Sequence, residues 1–399
     1  MKTKSLTQVC NITTGKLDAN AEIPNGKYPF FTCAPDPLRI DTFAFDDDVI
    51  LLAGNNAQGN FHIQRFKGKF NAYQRTYVII ARDGYDIDYV KYSLELSLQH
   101  LKRIAQGSQT KFLTMQILDS FRVVDIPYDE QRHLIGSIRE VDSKISLNTR
   151  ICTELESMAK TLYDYWFTQF DFPDENGKPY RSSGGEMVWN EQLKREIPKG
   201  WCEKNIETCC DIVDCLHSQK PENLYEDDAY YLLQLDNLVD LGLIDLCEKY
   251  HVTKEMYNLW TSKIEVTDGD LVVTNAGRIG AVSRIPSYVS AGVGRNMTVI
   301  RPKTVPAFFL YYFFKSPDFE IQMKANTDSG AFFGSLNVRG IKRLLLTIPP
   351  ETSDILSRFN SMVEPMRRKI ETIQQENEEL KKIRDWLLPM LMNGQAIVE

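Results

Sequence analysis

The sequence predicts an α+β protein in which two globular mixed α/β domains are joined by two long antiparallel coiled-coil helices, with an internal pseudo-two-fold repeat. Three observations carry that expectation. Two long stretches place apolar residues at steps of three and four, the signature of a helix with one buried seam. Strand-like segments ahead of the first stretch recur in the same order about 220 residues later. Between the copies lies a segment rich in Gly, Ser, Pro and charge.

Taken in order, residues 1–128 read as a first globular domain and 129–172 as the first long helix. Between Gln131 and Phe172 there is no proline and a single glycine, Gly136. Leu134, Ile138, Val141, Ile145, Leu155, Leu162 and Trp166 share one heptad register, with Cys152 and Ala159 on it and Asn148 as a polar interruption. Residues 173–200 read as a linker, 201–350 as a second domain and 351–394 as the second helix. Its seam is Phe359, Val363, Met366, Ile370, Ile373, Leu380 and Leu387, with Asn377 the polar interruption and Pro365 an expected early bend. An amphipathic helix draws most of its stability from packing its apolar face. The simplest partner for each seam is the other, packed antiparallel so that the globular domains lie at opposite ends. An intermolecular coiled coil is the alternative.

The repeat is legible segment by segment. "FDDDVILLAGN" (45–55) matches "VTDGDLVVTNAG" (266–277), and "FLTMQILDSFRVVDIP" (112–127) runs parallel to "FGSLNVRGIKRLLLTIP" (333–349). "YQRTYVIIARDGYDIDYVKYSL" (73–94) matches "GVGRNMTVIRPKTVPAFFLYYF" (292–313), pairing Arg75 with Arg295. Trp166 and Trp386 stand 220 residues apart near the two helix ends.

Composition narrows the function classes. A net charge of −7 argues against a protein that coats nucleic acid or membrane non-specifically. No apolar run approaches the roughly 18–20 residues of a spanning helix, and the polar start "MKTKSLTQVC" is no secretory signal, so the chain is expected in the cytosol. Of eight cysteines, four fall within 202–215 with His217 just beyond. Their C-x6-C-C-x4-C spacing departs from paired C-x2-C ligands, so reduced thiols are expected rather than zinc.

The segment "TLYDYWFTQFDFPDENGKPYRSSGGEMVWNEQLKREIPKGW" (161–201) closely resembles the central region of specificity subunits of Type I restriction–modification systems, and "LKKIRDWLLPMLMNGQ" (380–395) looks like their C-terminal end. The resemblance extends over essentially the whole chain. It departs at the start, where "LTQVCNITTG" has no counterpart of "IPKGW" before it. The resemblance implies that each globular domain is a target-recognition domain reading one half of a split double-stranded DNA sequence. It also implies that the helices act as a spacer carrying two methyltransferase subunits, with restriction/translocase subunits as further partners. S-adenosylmethionine, ATP and Mg²⁺ would then belong to those partners, with no cofactor in this chain.

DNA binding draws affinity from phosphate contacts and sequence from base edges. "FHIQRFKGKFNAYQR" (61–75) and "AGRIGAVSRIPSYVSAGVGRNMTVIR" (276–301) contain no acidic residue and lie between corresponding predicted strands. They offer Arg65, Lys67, Lys69 and Arg75 in the first copy and Arg278, Arg284, Arg295 and Arg301 in the second, with Gln64, Gln74, Asn275 and Asn296 as adenine-reading amides. Either these are DNA contacts or they are solvated basic hairpins. A second pair of surfaces, around Gln109 and Lys111 and around Asn337, offers small and polar residues for close backbone approach. Asn148 and Asn377 either fix the register of the coiled coil or turn to its rim. Trp166 and Trp386 either anchor a partner or pack internally. About 40 helical residues at about 1.5 Å each give a spacer on the order of 60 Å, and "FNAYQRT" and "AGVGRNM" share little beyond the arginine, so the expected target is bipartite and asymmetric.

Catalysis leaves no mark on the sequence. It contains no N/D-P-P-Y/F adenine-methylation motif and no P-loop, and its five histidines are scattered. A nuclease or fused methyltransferase, and a coiled-coil scaffold without DNA specificity, are the competing readings; the missing motifs count against the first and the paired basic stretches against the second.

Overall fold

The computed structural model describes residues 2–57, 59–107, 110–216, 230–329 and 334–392. The chain forms two compact units, Met1–Ile145 with Leu380–Glu399, and Ser146–Glu379. These boundaries cut through both long helices, Tyr128–Tyr163 and Ile355–Met392, rather than falling at their ends.

In the first unit a six-stranded sheet runs in the order Cys10–Thr14, Thr76–Ala81, Phe45–Ala53, Ile63–Ala72, Tyr28–Phe31, Leu38–Ile40. All its pairings are antiparallel except that between Phe30–Phe31 and Asn71–Ala72. The run "VILLA" is apolar without alternation because both faces of this strand are buried. Ile50 and Leu52 face one core with Ile79, Tyr89 and the helix residues Ile135 and Ile138, while Val49 and Leu51 pack with Phe31, Phe70 and Val78 on the other face. The 18-residue helix Ile87–Ile104 starts at Asp86, whose carboxylate accepts from the backbone N–H groups of Asp88 and Tyr89.

The second unit repeats the strand order: Cys210–Asp214, Met297–Pro302, Leu271–Thr274, Val282–Arg284. Registers correspond residue for residue. Ile50 lies opposite Ile79 and Arg65, and Leu271 lies opposite Ile300 and Arg284. The edge pairs Thr3–Ser5 with Arg122–Val124 and Cys202–Asn205 with Leu345–Ile348 correspond as well. The copies diverge where Pro317 breaks the second counterpart of Ile87–Ile104 into Ala307–Phe313 and Pro317–Asn326, with Ser316 capping the restart.

Each unit contains a stretch of both long helices, running antiparallel. In the second unit Asn148 meets Asn377, Cys152 meets Ile370 and the ring of Tyr163 meets that of Phe359, so one number rises as the other falls. In the first unit Asp142 accepts from Arg384 at 3.2 Å, and Ile135 and Ile138 share a core with Leu388 and Leu391. Seam residues Ile138, Trp166, Phe359, Val363, Ile370 and Ile373 are buried. The second helix runs through Pro365 as one element.

The segment expected as a linker is folded. Met187–Asn190 and Arg195–Pro198 form a hairpin, Asp171 accepts from both the N–H and the hydroxyl of Ser182, and Phe172 stacks on Tyr180 and Trp201. Tyr180 of the segment and the flanking Phe172 and Trp201 supply packing that its Gly- and Ser-rich composition conceals.

Candidate DNA interface

The basic stretch of the first unit is the strand Ile63–Ala72, and its acid-free sequence is misleading in space. Its antiparallel partner carries Asp46, Asp47 and Asp48 directly opposite Lys69, Gly68 and Lys67. Cross-strand opposite charges attract, so much of the stretch's charge is matched within the sheet. Arg65 is committed further: it is ion-paired with Asp48, donates from Nε to Asp88 at 2.9 Å, and donates to the carbonyl oxygens of Val49 and Phe66. The hydrogen bond from Arg65 holds the Asp48 carboxyl below its ordinary range, ahead of the opposing effect of burial. Arg65 is therefore a structural ion-pair residue rather than a free DNA contact.

The remaining candidates of this unit divide. Lys67 and Lys69 are exposed, Lys69 lying over the Phe43 ring at 4.7 Å. Gln64 donates to the Pro35 carbonyl, and Gln74 donates to Asp18 at 2.6 Å. Arg75 is exposed on the turn between strands, and its guanidinium has no hydrogen bond or ion pair among the described residues. Lys111 pairs in register with Asn56 and lies beside Lys102, both side chains flanking Gly59. Lys102, which sequence reasoning passed over, thus joins Lys111 through a close approach between distant segments. Gln109 lies outside the described residues.

In the second unit the candidates also separate by burial. Asn275 is 6% exposed and accepts from the Thr298 hydroxyl at 3.0 Å, which makes it a core residue. Asn337 caps the helix Val338–Lys342 by accepting from the Gly340 N–H. Arg278 is exposed and donates to the Leu238 carbonyl, with Asp240 4.0 Å away. Arg284 is 4% exposed, bonded to Glu371 at 2.9 Å and Asp268 at 2.8 Å, and stacked over Phe308 at 4.6 Å. Its burial removes it from any DNA surface. Arg295 and Asn296 are exposed, Asn296 with a positive φ of 61°.

The corresponding turns of the two units share a backbone framework. The N–H of Gly54 donates to the Arg75 carbonyl and the Gly54 carbonyl accepts from Leu113; likewise Asn275 donates to Asn296 and accepts from Leu336. This geometry pairs Arg75 with Asn296 at an offset of 221, as it does Thr76 with Met297. The alignment of Arg75 with Arg295 is one residue out. What each unit places together is a strand end, the incoming turn and the segment before a short helix: Gly54, Arg75 and Lys111–Leu113 in one, Asn275, Arg295–Asn296 and Leu336–Asn337 in the other.

The helix residues are placed as follows. Asn148, 1% exposed, donates to Asn377 Oδ1 at 2.9 Å and to Glu376 at 2.8 Å. Trp166 is buried against Phe167 and Phe359, with Arg358 over its ring, whereas Trp386 is 66% exposed. Sequence reading missed the charged residues buried in the same seam. Arg367 is fully buried, donating to Glu156 at 2.5 Å and to the Leu241 carbonyl at 2.9 Å; Glu156 also accepts from Tyr312 and Lys315. Glu156 and Arg367 each stand one residue past a predicted seam position, Leu155 or Met366, so the heptad register does not mark them.

Burial pushes the Cys10 and Cys210 thiols up to about 12, so neither is a nucleophile at neutral pH. Among the described residues no three His, Cys, Asp or Glu side chains are grouped to hold a metal ion, and His217 lies outside them. No helix among the described residues is long and apolar enough to cross a membrane.

Residues 1–157 match the family model of the Type I restriction modification DNA specificity domain. The Type I restriction enzyme EcoDI specificity subunit of Escherichia coli is 55% identical over 78 residues, which span 20% of this chain and 17% of that protein. The MjaIX specificity subunit of Methanocaldococcus jannaschii is 25% identical over 329 residues, covering 80% of this chain and 72% of the relative. The HindI specificity subunit of Haemophilus influenzae is 23% identical over 350 residues, covering 74% of each. The crystal structure of a Type I S subunit from M. genitalium shares the fold, with a TM-score of 0.59 at 14% identity over 98% of this chain and 95% of that one. Along most of its length this chain is similar to Type I restriction enzyme specificity subunits, and its first 157 residues match their DNA specificity domain.

Proposed function

We propose that this chain is the non-catalytic DNA-recognition subunit of a Type I restriction–modification complex, each globular domain reading one half of a bipartite, asymmetric target. The observation that carries this reading is the repeated strand-end and turn framework, which presents unlike residues in its two copies: Arg75 with Lys102 and Lys111 in one, Arg295 with Asn296 in the other. A shared framework with different side chains suits two readers of different sequences. Exposed Arg and Lys there serve phosphates and guanine edges, and Asn296 an adenine edge.

In this reading the two long helices form the antiparallel coiled coil that joins two target-recognition domains and docks two methyltransferase subunits. Restriction/translocase subunits complete the complex, and S-adenosylmethionine, ATP and Mg²⁺ are held by the partners. At about 1.5 Å per residue the 36-residue and 38-residue helices are each about 54–57 Å long, a length that sets the gap between half-sites. Purified with its methyltransferase, the chain should select duplexes sharing one split motif from a random pool. Recovery of a single contiguous motif, or of none, contradicts the proposal.

A further inference from the structure

Two arginines from the basic stretches occupy the same place in the two copies. Arg65 lies opposite Ile50 and Arg284 opposite Leu271, and those partners lie opposite Ile79 and Ile300 in turn. Strand alternation turns residues opposite Ile50 and Leu271 toward the face that packs on the helices. There each arginine meets the second residue of the corresponding helix: Asp88 in Ile87–Ile104, and Phe308 in Ala307–Phe313. Each contact then leads to a long helix. Asp88 accepts from Arg139 of the first long helix at 2.8 Å, and Arg284 reaches Glu371 of the second directly at 2.9 Å. Asp268, the other partner of Arg284, also faces Arg368 of that helix at 3.6 Å.

We infer that Arg65 and Arg284 are one repeated positioning device, which fixes each recognition hairpin to the long helix within its own unit and so sets the angle at which that hairpin meets DNA. The chemistry differs between copies, but its logic is conserved. A guanidinium presents several donors in a rigid plane and stacks on rings, so it can bond Asp88 in one copy, or stack on Phe308 and bond Glu371 in the other. Further along the same strand face Lys67 and Lys69 are exposed, and Arg75 and Arg295 are exposed on the turns that lead into Thr76–Ala81 and Met297–Pro302. Each copy therefore holds its inward-facing anchor on one strand, Arg65 on Ile63–Ala72 and Arg284 at the end of Val282–Arg284, and its exposed arginine on the turn into a neighbouring strand. The inference rests on the bipartite reading proposed above.

The test uses the full chain with its methyltransferase and duplexes carrying its split motif at the native gap, one base pair shorter and one longer. Arg284→Met and Glu371→Gln should act alike. Each should weaken binding at the native gap by about tenfold and narrow the preference over the altered gaps. Neither should change the slope of affinity against salt, because neither residue touches phosphate. Asp88→Asn should do the same through the first unit, and Arg284→Lys serves if the methionine variant fails to fold. A fall of about one in the salt slope for Arg284→Met, with gap preference intact, would show a direct phosphate contact and overturn the inference. Glu371→Gln and Asp88→Asn both matching the unaltered chain would overturn it too. An unaltered chain with no gap preference refutes the bipartite reading itself, whatever the variants do.

Discussion

Removing the Glu156 carboxylate tests whether the buried ionic cluster orders the second unit. Glu156 on the first long helix accepts from Arg367 on the second, and from Tyr311, Tyr312 and Lys315 of the globular body. Burial alone would raise its pKa, but the charges of Arg367 and Lys315 outweigh that and hold it below the ordinary glutamate range. Glu156→Ala leaves the fully buried Arg367 with the Leu241 carbonyl and Tyr311 but no carboxylate partner among the described residues. Breaking a buried pair from one side costs about 3–5 kcal/mol. For a unit of this size that corresponds to a fall of about 6–20 °C in melting temperature. Tryptophan fluorescence isolates the event, since Trp166, Trp201 and Trp260 are buried in the second unit while the first contributes only the exposed Trp386. The paired change Glu156→Leu with Arg367→Met should recover most of the loss, because replacing both charges removes the desolvation problem. A melting temperature for Glu156→Ala within a degree or so of the unaltered chain would refute this account of the cluster.

Further outcomes follow from the same contacts. Because the folded pKa of Glu156 is depressed, its stabilisation is present above the unfolded carboxyl pKa and is lost as pH falls through the lower folded value. The melting difference between the unaltered chain and Glu156→Gln should therefore shrink in acid, which a pH series of melts checks. Arg75→Ala should weaken recognition of one half-site and Arg295→Ala the other, each lowering the salt slope by about one where it meets phosphate; competition with duplexes altered in a single half-site reads this. Asn148→Ala strips partners from Asn377 and Glu376 in a buried seam and should cost about 1–3 kcal/mol by denaturant titration. Truncation before Ile370 removes the surface that covers Cys152 and Leu155, and should abolish co-purification with the methyltransferase.

Much of the architecture was legible because it rests on periodicity. The heptad registers of Ile138, Ile370 and Ile373 announce the helices, and the recurring "DDDVILLAGN" and "DGDLVVTNAG" announce matched central strands. The site was less legible because charge in sequence is not charge in space. Residues 61–75 contain no acid, yet the aspartates at 46–48 lie across from them by strand pairing. Arg284 looks in the sequence like the exposed Arg278 and Arg295, but it lies on a strand buried on both faces. The one-residue error at Arg295 has a similar origin: a side-chain match outweighed the backbone register that pairs Arg75 with Asn296. The folded hairpin at 187–198 was hidden by the glycines and serines around it.

The most direct test of the central claim is a map of adenine methylation across the host genome with this gene intact and with it deleted. The account predicts that deletion abolishes methylation at one split, asymmetric motif, whose two halves and gap would then be read together. Methylation unchanged at every site, in cells shown to produce the chain together with its methyltransferase, would contradict it.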